Sequence, residues 1–462
     1  MSEIIKQKLS DSKTARWTAL LIVSITMMMG YFFTDVMSPL ENLLNTDLHW
    51  NGSEYGFFSG AYGLINVFLL MLFFGGLILD KMGIRFTGIL STLLMFIGAL
   101  IKWYAVTYIP TDTIADWFHL NLFIIEIDAP HLTTLIASLG FAIYGVGCEL
   151  AGITVSKVIT KWFTGHELAL AMGLQVALAR VGTAAAMSIS LPIANHFGGI
   201  PTSIGLGAAM LLIAFLAFIY YCVMDKKLDK SCGDTDNQQT DSEDESFKFS
   251  DLKAIFLNPG FWVIAFLCLM FYGGVFPFLK FATKLMIAKY EVSDNMAGFI
   301  PSLLSYGTMI LTPFFGRIYD KKGHGVKLML LGSVLLTIVH VCFALPILNY
   351  WWFAVIVMLI LGVAFSLVPS AMWPSVPKII PMKLLGTAFA LIFFIQNIGL
   401  SLIPMGIGEV NKQHTDAATG ITDYTTSMTI FAAFGVISIL LSLLLLRLDH
   451  TKKYGLEEKN IK

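Results

Sequence analysis

The apolar stretches 132–156 and 168–193 each carry a single charged residue, Glu149 and Arg180 respectively. An ionised side chain near the middle of a bilayer costs about 2.5–3.5 kcal/mol even on the lenient insertion scale, so residues of this kind mark sites. Glu149 stands about eight residues from the end of its stretch, and Arg180 about twelve from the start of the next. At a helical rise of ~1.5 Å per residue, the two reach a similar depth in the middle third of a bilayer. Two chemistries fit that placement. A Glu–Arg pair buried between neighbouring helices can serve structure alone. Alternatively, the two charges face a cavity as a dipole, Arg180 taking a carboxylate through its guanidinium fork and Glu149 taking an ammonium. The residues by themselves imply a zwitterion or an organic anion as ligand.

Other polar residues inside apolar stretches extend the set. Tyr62, Asn66, Tyr272, Trp373, Gln396 and Asn397 join Glu149 and Arg180 as candidate substrate-binding residues, with Tyr31 and Asp35 as further candidates for a cavity wall. Each is also a type that packs between helices or sits at membrane boundaries. Lys280 interrupts the stretch 259–283. Its stem is long enough to snorkel outward, and its ammonium could instead add a second carboxylate contact. Glu149 is the main carboxylate candidate for proton coupling. His166-Glu167 has no second His four residues after the first, so the zinc-protease helix pattern is missing. With no paired intramembrane Asp, Ser–His arrangement or phosphate-cradling Gly loop, we expect neither an enzyme nor a bound cofactor or metal.

The rest of the chain must supply the elements that hold these residues. Of 462 residues, 56% are hydrophobic and only 13% are Asp, Glu, Lys or Arg, against roughly 25% charged in soluble domains. Such a chain is not a soluble multi-domain enzyme, a disordered chain or a disulfide scaffold; its excess apolar surface must face lipid. The net charge of −1 gives no bias toward nucleic acid. Stretches of spanning length, roughly 20 residues, cover 17–40, 54–79, 86–106, 132–156, 168–193 and 200–223, then 259–283, 295–318, 327–348, 350–376, 385–410 and 426–447. A spanning backbone must satisfy its own hydrogen bonds, and the short alternation of barrel strands is absent, so these are helices. The expected fold is an all-α membrane protein of twelve transmembrane helices. Its parts are a tail 1–16, a six-helix bundle 17–224, a linker 225–258, a second six-helix bundle 259–447 and a tail 448–462.

Charge fixes the expected orientation. With the N-terminus inside, 24 of the 30 Lys and Arg residues fall in inner segments, and only Lys289 and Lys412 fall clearly in outer loops. Short-loop bias of that strength places both termini in the cytoplasm. Ser231–Glu245, with its acidic cluster Asp241, Glu243, Asp244 and Glu245, reads as a flexible tether, and 247–256 as a mildly amphipathic surface segment. The outer segment 107–131 is acidic, lacks Lys and Arg, and suggests no function. None of the five cysteines lies in an outer loop, so they read as apolar fillers. Asn51-Gly52-Ser53 forms a glycosylation triplet of a kind that arises often by chance.

The two halves repeat at one offset. Gly76, Asp80, Lys81, Gly83 and Arg85 align with Gly316, Asp320, Lys321, Gly323 and Gly325, 240 residues later, each copy ending the second span of its half. The glycines permit a tight turn and close helix approach, and Asp80 and Arg85 can make charge-assisted contacts when that side is closed. We take Gly76, Asp80, Lys81, Gly83, Arg85, Gly316, Asp320, Lys321 and Gly323 as gating candidates. The pattern resembles the G-x-x-x-D-[RK]-x-G-x-[RK] loop of the major facilitator superfamily. The first copy matches throughout, whereas Gly325 replaces the final basic residue in the second. Further stretches are similar to the branch typified by major facilitator superfamily domain-containing protein one, the lysosomal dipeptide uniporter. They are Gly145, Gly147 and Cys148-Glu149-Leu150; Lys161-Trp162-Phe163 before Gly165-His166-Glu167; Gly173 to Gly182; Val275-Phe276-Pro277-Phe278; Trp373-Pro374; Leu385 to Ala388; and Ile395 to Leu400.

That resemblance implies two pseudo-symmetric six-helix bundles around a site reached alternately from each side. It narrows the ligand to dipeptides, whose termini meet the positions of Glu149 and Arg180, and implies uniport. A proton-coupled symporter of organic anions is the rival within transport; a non-transporting sensor or scaffold is the rival outside it. We expect a monomer in a lipid bilayer that does not bind nucleic acid. The absence of an acidic dileucine signal in the first tail favours a bacterial inner membrane. In a eukaryotic host, a lysosomal membrane and an accessory glycoprotein would be expected instead.

Overall fold

A computed structural model describes residues 12–122, 125–163, 168–232, 253, 255–346, 348–381, 384–416 and 418–459. The 247–256 segment, apart from 253, 255 and 256, and the pair His166-Glu167 lie outside the described residues. The helices are α1 (Lys13–Asp35), the short α2 (Glu41–Asp47), α3 (Gly52–Phe68), α4 (Met71–Tyr108), α5 (Leu132–Phe163), α6 (Leu168–Phe197) and α7 (Ile200–Cys232) in the first half. The second half has α8 (Pro259–Tyr290), the short α9 (Asp294–Ala297), α10 (Phe299–Lys322), α11 (Gly325–Ala344), α12 (Trp351–Ile379), α13 (Leu385–Gln413) and α14 (Thr425–Lys452). Among the described residues eleven helices are long and apolar enough to cross a membrane, and α3 together with the start of α4, bent by 64°, makes a twelfth. Helix α4 holds the end of that bent span and the whole of the next: Gly83, at φ 76°, breaks the helical path between them. Gly323, 240 residues on, sits at φ 74° after α10. A left-handed backbone is open to glycine without the clash a Cβ would bring, so the repeated loop bends in the same way in both halves.

Packing follows a two-fold rule. In the first half α4 packs on α5 and α7, α3 on α5, and α1 on α6 and α7; in the second, α11 packs on α12 and α14, α10 on α12, and α8 on α13 and α14. The halves meet along α3–α13 and α6–α10, which the same symmetry exchanges. Between lipid-facing helices the hydrophobic effect offers little, so small residues and close backbone approach carry association. Gly52, Gly56, Gly60 and Gly63 place one face of α3 against Asn397, Ser401, Pro404 and Gly408 of α13. A Cβ on Gly56 would sit 2.5 Å from the Pro404 carbonyl oxygen and 2.8 Å from Gly408 Cα. On the other seam Gly298 abuts the Met187 carbonyl, and Ser188 Oγ donates to Ser302 Oγ at 3.0 Å.

Both contacts lie toward the face that carries the 107–131 segment. That segment forms a hairpin of β1 (His119–Leu122) and β2 (Ile125–Asp128). Alternation along β2 turns Ile125 and Ile127 down onto Phe57 of α3 and Met405 of α13. Ser53 Oγ also donates to the Glu126 carbonyl at 3.0 Å. The hairpin thus covers the α3–α13 seam, a role its composition did not reveal. Asn51 of the glycosylation triplet is the N-cap of α3 in a reciprocal box with Glu54. At the opposite face, which carries the chain termini, Gly76 and Gly316 have no atom within 4 Å of a built Cβ.

Several helices run past their expected ends, α5 to Phe163, α8 to Tyr290 and α7 furthest. Helix α7 continues to Cys232, past the expected end at 223, with the buried Asp225 and the exposed Asp229 both paired to Arg85 and Lys161 of neighbouring helices. If the glycine seam sets the closed hairpin face, Gly56→Leu should overpack it by about 1–3 kcal/mol. Labelling of a Ser59→Cys probe by an impermeant maleimide added from the hairpin side should then rise roughly tenfold. An unchanged rate would show that the seam does not hold this face shut.

Candidate functional site

A cavity of about 370 Å³ lies between the bundles, within the range of small-molecule sites. Helices α1, α3, α5 and α6 line it from one side and α8, α12 and α13 from the other. Of the candidate binding residues, Glu149, Arg180, Tyr62, Tyr272, Trp373 and Gln396 line it, as do Tyr31 and Asp35. Asn66 and Asn397 do not. Both are buried in helix interfaces, where Asn397 Nδ2 donates to the Phe393 carbonyl at 3.0 Å. The Asn66 amide atoms have no hydrogen-bond partner among the described residues. Asn397 faces Gly63 of α3 instead of the cavity, whereas Asn66 continues the Ser59–Tyr62 stripe of α3 one turn further on.

Glu149 and Arg180 share the cavity without pairing. The Tyr62 hydroxyl donates to Glu149 Oε1 at 2.9 Å. The Arg180 guanidinium lies 5.4 Å from the ring centres of Phe276 and Phe365 and 5.9 Å from that of Tyr31, an arrangement that stabilises a cation without neutralising it. Among the described residues no ion pair joins the two, so the structural-pair alternative does not describe this conformation. Across the cavity the Trp373 indole donates to the Tyr272 hydroxyl at 3.0 Å, and Cys268 Sγ contacts Gln396 Oε1 at 3.5 Å.

Lys280 does not snorkel outward. Its Nζ lies 2.7 Å from Asp35 Oδ1, 3.1 Å from the Thr34 carbonyl and 3.3 Å from Ser38 Oγ, so it bridges α8 to the first bundle. One turn on, Lys284 faces the buried Glu41 at 3.8 Å, and the Tyr55 hydroxyl donates to the Lys280 carbonyl at 2.7 Å. Polar groups thus join the bundles between the cavity and the hairpin face. Behind the wall, Lys102 is fully buried, 4.1 Å from the ring centre of Phe33, 4.5 Å from Phe141 and 5.3 Å from Phe58. Phe365 and the Lys102 cage escaped the sequence reading because their partners come from separate helices with no shared spacing.

The gating candidates sit at the termini face. Lys81 is exposed in α4, and Asp320 and Lys321 occupy the last turn of α10. The side chain of Asp80 lies outside those described. Arg85 reaches Asp229 at 3.0 Å and Asp225 at 3.6 Å, so its partners belong to its own bundle. Among the described residues no group of three or more His, Cys, Asp or Glu side chains could hold a metal ion.

Residues 20–404 match the family model described as Major Facilitator Superfamily. The chain belongs to the major facilitator superfamily. It is therefore a multi-pass membrane transporter of small molecules, and its two bundles are the two halves of that fold. Among curated relatives, it is 26% identical over 440 residues to the lysosomal dipeptide transporter MFSD1 of Danio rerio, covering 92% of this chain and 86% of the relative. The corresponding protein of Homo sapiens is 27% identical over 408 residues, with 86% and 80% covered. Among solved structures, the nucleoside transporter NupG superposes with a TM-score of 0.69 at 15% identity, with 94% and 99% covered. A D-xylose-proton symporter gives 0.67 at 14%, with 93% and 97% covered. These structures share the transporter fold.

The Asp35–Lys280 bridge makes a separable prediction. Its side chains are only 15% and 14% exposed, so Lys280→Met alone strands a carboxylate and should cost on the order of 3 kcal/mol of thermal stability. Lys280→Met with Asp35→Asn should recover most of that loss. Additive losses in the double-mutant cycle would mean that the two residues are not coupled.

Proposed function

We propose that this transporter moves dipeptides by alternating access, as a uniporter, with Arg180 receiving the substrate carboxylate and Glu149 its ammonium. The observation that carries this reading is that two opposite charges line one cavity without neutralising each other. A zwitterion supplies both missing partners at once, through charge-assisted hydrogen bonds. Trp373, Phe276, Phe393 and Tyr272 offer apolar and aromatic wall to a variable side chain, and the curated relatives named as dipeptide transporters support the same class. We further read the termini face as cytoplasmic, from the positive residues gathered there. Joined at the hairpin face, and with open space beside Gly76 and Gly316 at the termini face, the conformation described is read as the inward-facing one.

One observation favours a second reading, symport of an organic anion with a proton. The described hydrogen-bond partner of Glu149 is a neutral hydroxyl, not a cation, which leaves the carboxyl able to accept a proton while Arg180 holds the anion.

The two readings separate in a thermal-shift experiment with dipeptides, free amino acids and organic acids. A ligand at 100 times its Kd stabilises the folded state by about 2.7 kcal/mol. Dipeptides should raise the melting temperature of the parent protein, and Glu149→Gln and Arg180→Lys should each abolish the shift. Stabilisation by organic acids alone, undiminished in Glu149→Gln, would replace the dipeptide reading with the anion symporter.

A further inference from the structure

The two repeated turns are built differently, and the difference has an occupant. In the first half, the ends of three helices are tied directly by charge. Arg85 at the start of the third span reaches Asp225 and Asp229 of α7, and Lys161 of α5 holds the same two carboxylates at 2.8 and 2.7 Å. In the second half the matching helix ends carry Gly325, Asp449 and Lys378. Gly325 has no side chain to reach across.

The chain beyond α14 fills that place. Asp449 accepts from the backbone N–H of Leu456 at 3.0 Å and of Glu457 at 3.3 Å. Lys378 donates to the carbonyls of Gly455 and Glu458, both at 2.9 Å. The Glu457 carboxylate caps the first turn of α11, accepting from Val326 N–H at 2.9 Å and Lys327 N–H at 3.2 Å. An anion belongs there, because the first N–H groups of a helix lack internal partners. Gly325 N–H donates to the Leu456 carbonyl at 3.2 Å and His324 N–H to that of Glu457 at 2.9 Å. Leu456 is fully buried, and the Tyr454 hydroxyl donates to Asn258 Oδ1 at 2.9 Å.

We propose that the termini face carries a peptide-docking site formed by Asn258, Tyr319, the turn 323–327, Lys378 and Asp449, and that its ligand is this chain's own segment 454–459. The docked segment replaces the basic residue that the second signature turn lacks, and holds the turn bearing Asp320, Lys321 and Gly323 in the shape the gate needs. A Cβ at Gly325 would stand 2.8 Å from the Leu456 carbonyl oxygen and 2.7 Å from Tyr319. The Leu456 contact sets an arginine against the docked segment, while the Tyr319 ring must give way to it whether or not the segment is present.

That opposition gives the test. Four proteins are compared: the parent, a chain stopped after Lys453, Gly325→Arg, and the two changes combined. Stopping the chain should lower the melting temperature by about 3 °C or more, and Gly325→Arg should be harmful in the full chain. In the shortened chain the same arginine should recover at least half the loss, by reaching Asp449 as Arg85 reaches Asp225. A shortened chain as stable as the parent, or an arginine more harmful in the shortened chain than in the full one, overturns the proposal. Should the shortened chain fail to accumulate, Glu457→Gln in the full chain carries the test, and an unchanged melting temperature contradicts it. The gating part is read by maleimide labelling of a Gly316→Cys probe, faster in the shortened chain and slowed again by Gly325→Arg. Unchanged labelling beside a lowered melting temperature overturns that part.

Discussion

Hydrocarbon solvates neither charge nor an unpaired backbone group, and the arrangement of this protein answers that constraint at each level. Helices satisfy the backbone internally, which leaves the ionised side chains as the costly groups of the interior. Four of them line the cavity, and they are handled in two ways. Asp35 and Lys280 neutralise each other across the bundles, so their contact is at once a solution to burial and a tie between the two moving parts. Glu149 and Arg180 stay apart, softened only by the Tyr62 hydroxyl and by aromatic faces. Charge left uncompensated in this way gives the cavity a field with two ends, and a substrate bearing both signs neutralises it.

The tie and the site share the same walls. Tyr31, Thr34 and Asp35 belong to one helix, and Tyr272, Phe276 and Lys280 to another. On the proposed reading, a ligand held between Glu149 and Arg180 would also lie against the two helices that Asp35 and Lys280 join. Beyond that bridge, movement of one bundle against the other near the hairpin face must part Lys284 from Glu41, the Tyr55 hydroxyl from the Lys280 carbonyl, and glycine and serine seams held by close contact. Such surfaces release without leaving bulky side chains behind. The hairpin over the α3–α13 seam adds an apolar patch that must part when that seam opens.

The spans were legible because composition alone demands them, and the repeat because glycine is needed wherever the backbone turns left-handed, as at Gly83 and Gly323. Glu149 and Arg180 stood out for the same reason: a lone charge in an apolar stretch has few innocent explanations. What stayed hidden depended on neighbours from elsewhere in the chain. Asp225 and Asp229 looked like the start of a linker until Arg85 and Lys161 supplied their counter-charges. Lys280 looked able to snorkel until Asp35 met it. Asn397 turns to Gly63 of α3 instead of the cavity, Asn66 lies one turn beyond Tyr62 on the same face of α3, and Phe365 joined Arg180 from the opposite bundle. Sequence patterns report depth and local backbone well; they do not report which side chains meet across a seam.

The central claim is that Glu149 reads a positive substrate end and Arg180 a negative one. It is tested most directly by measuring binding of one dipeptide in three forms, unmodified, N-acetylated and C-amidated, to the parent protein and to Glu149→Gln. Acetylation should weaken binding to the parent strongly but leave binding to Glu149→Gln nearly unchanged, while amidation should weaken both. Acetylation that weakens binding to both proteins equally would contradict it, because the ammonium would then be recognised elsewhere.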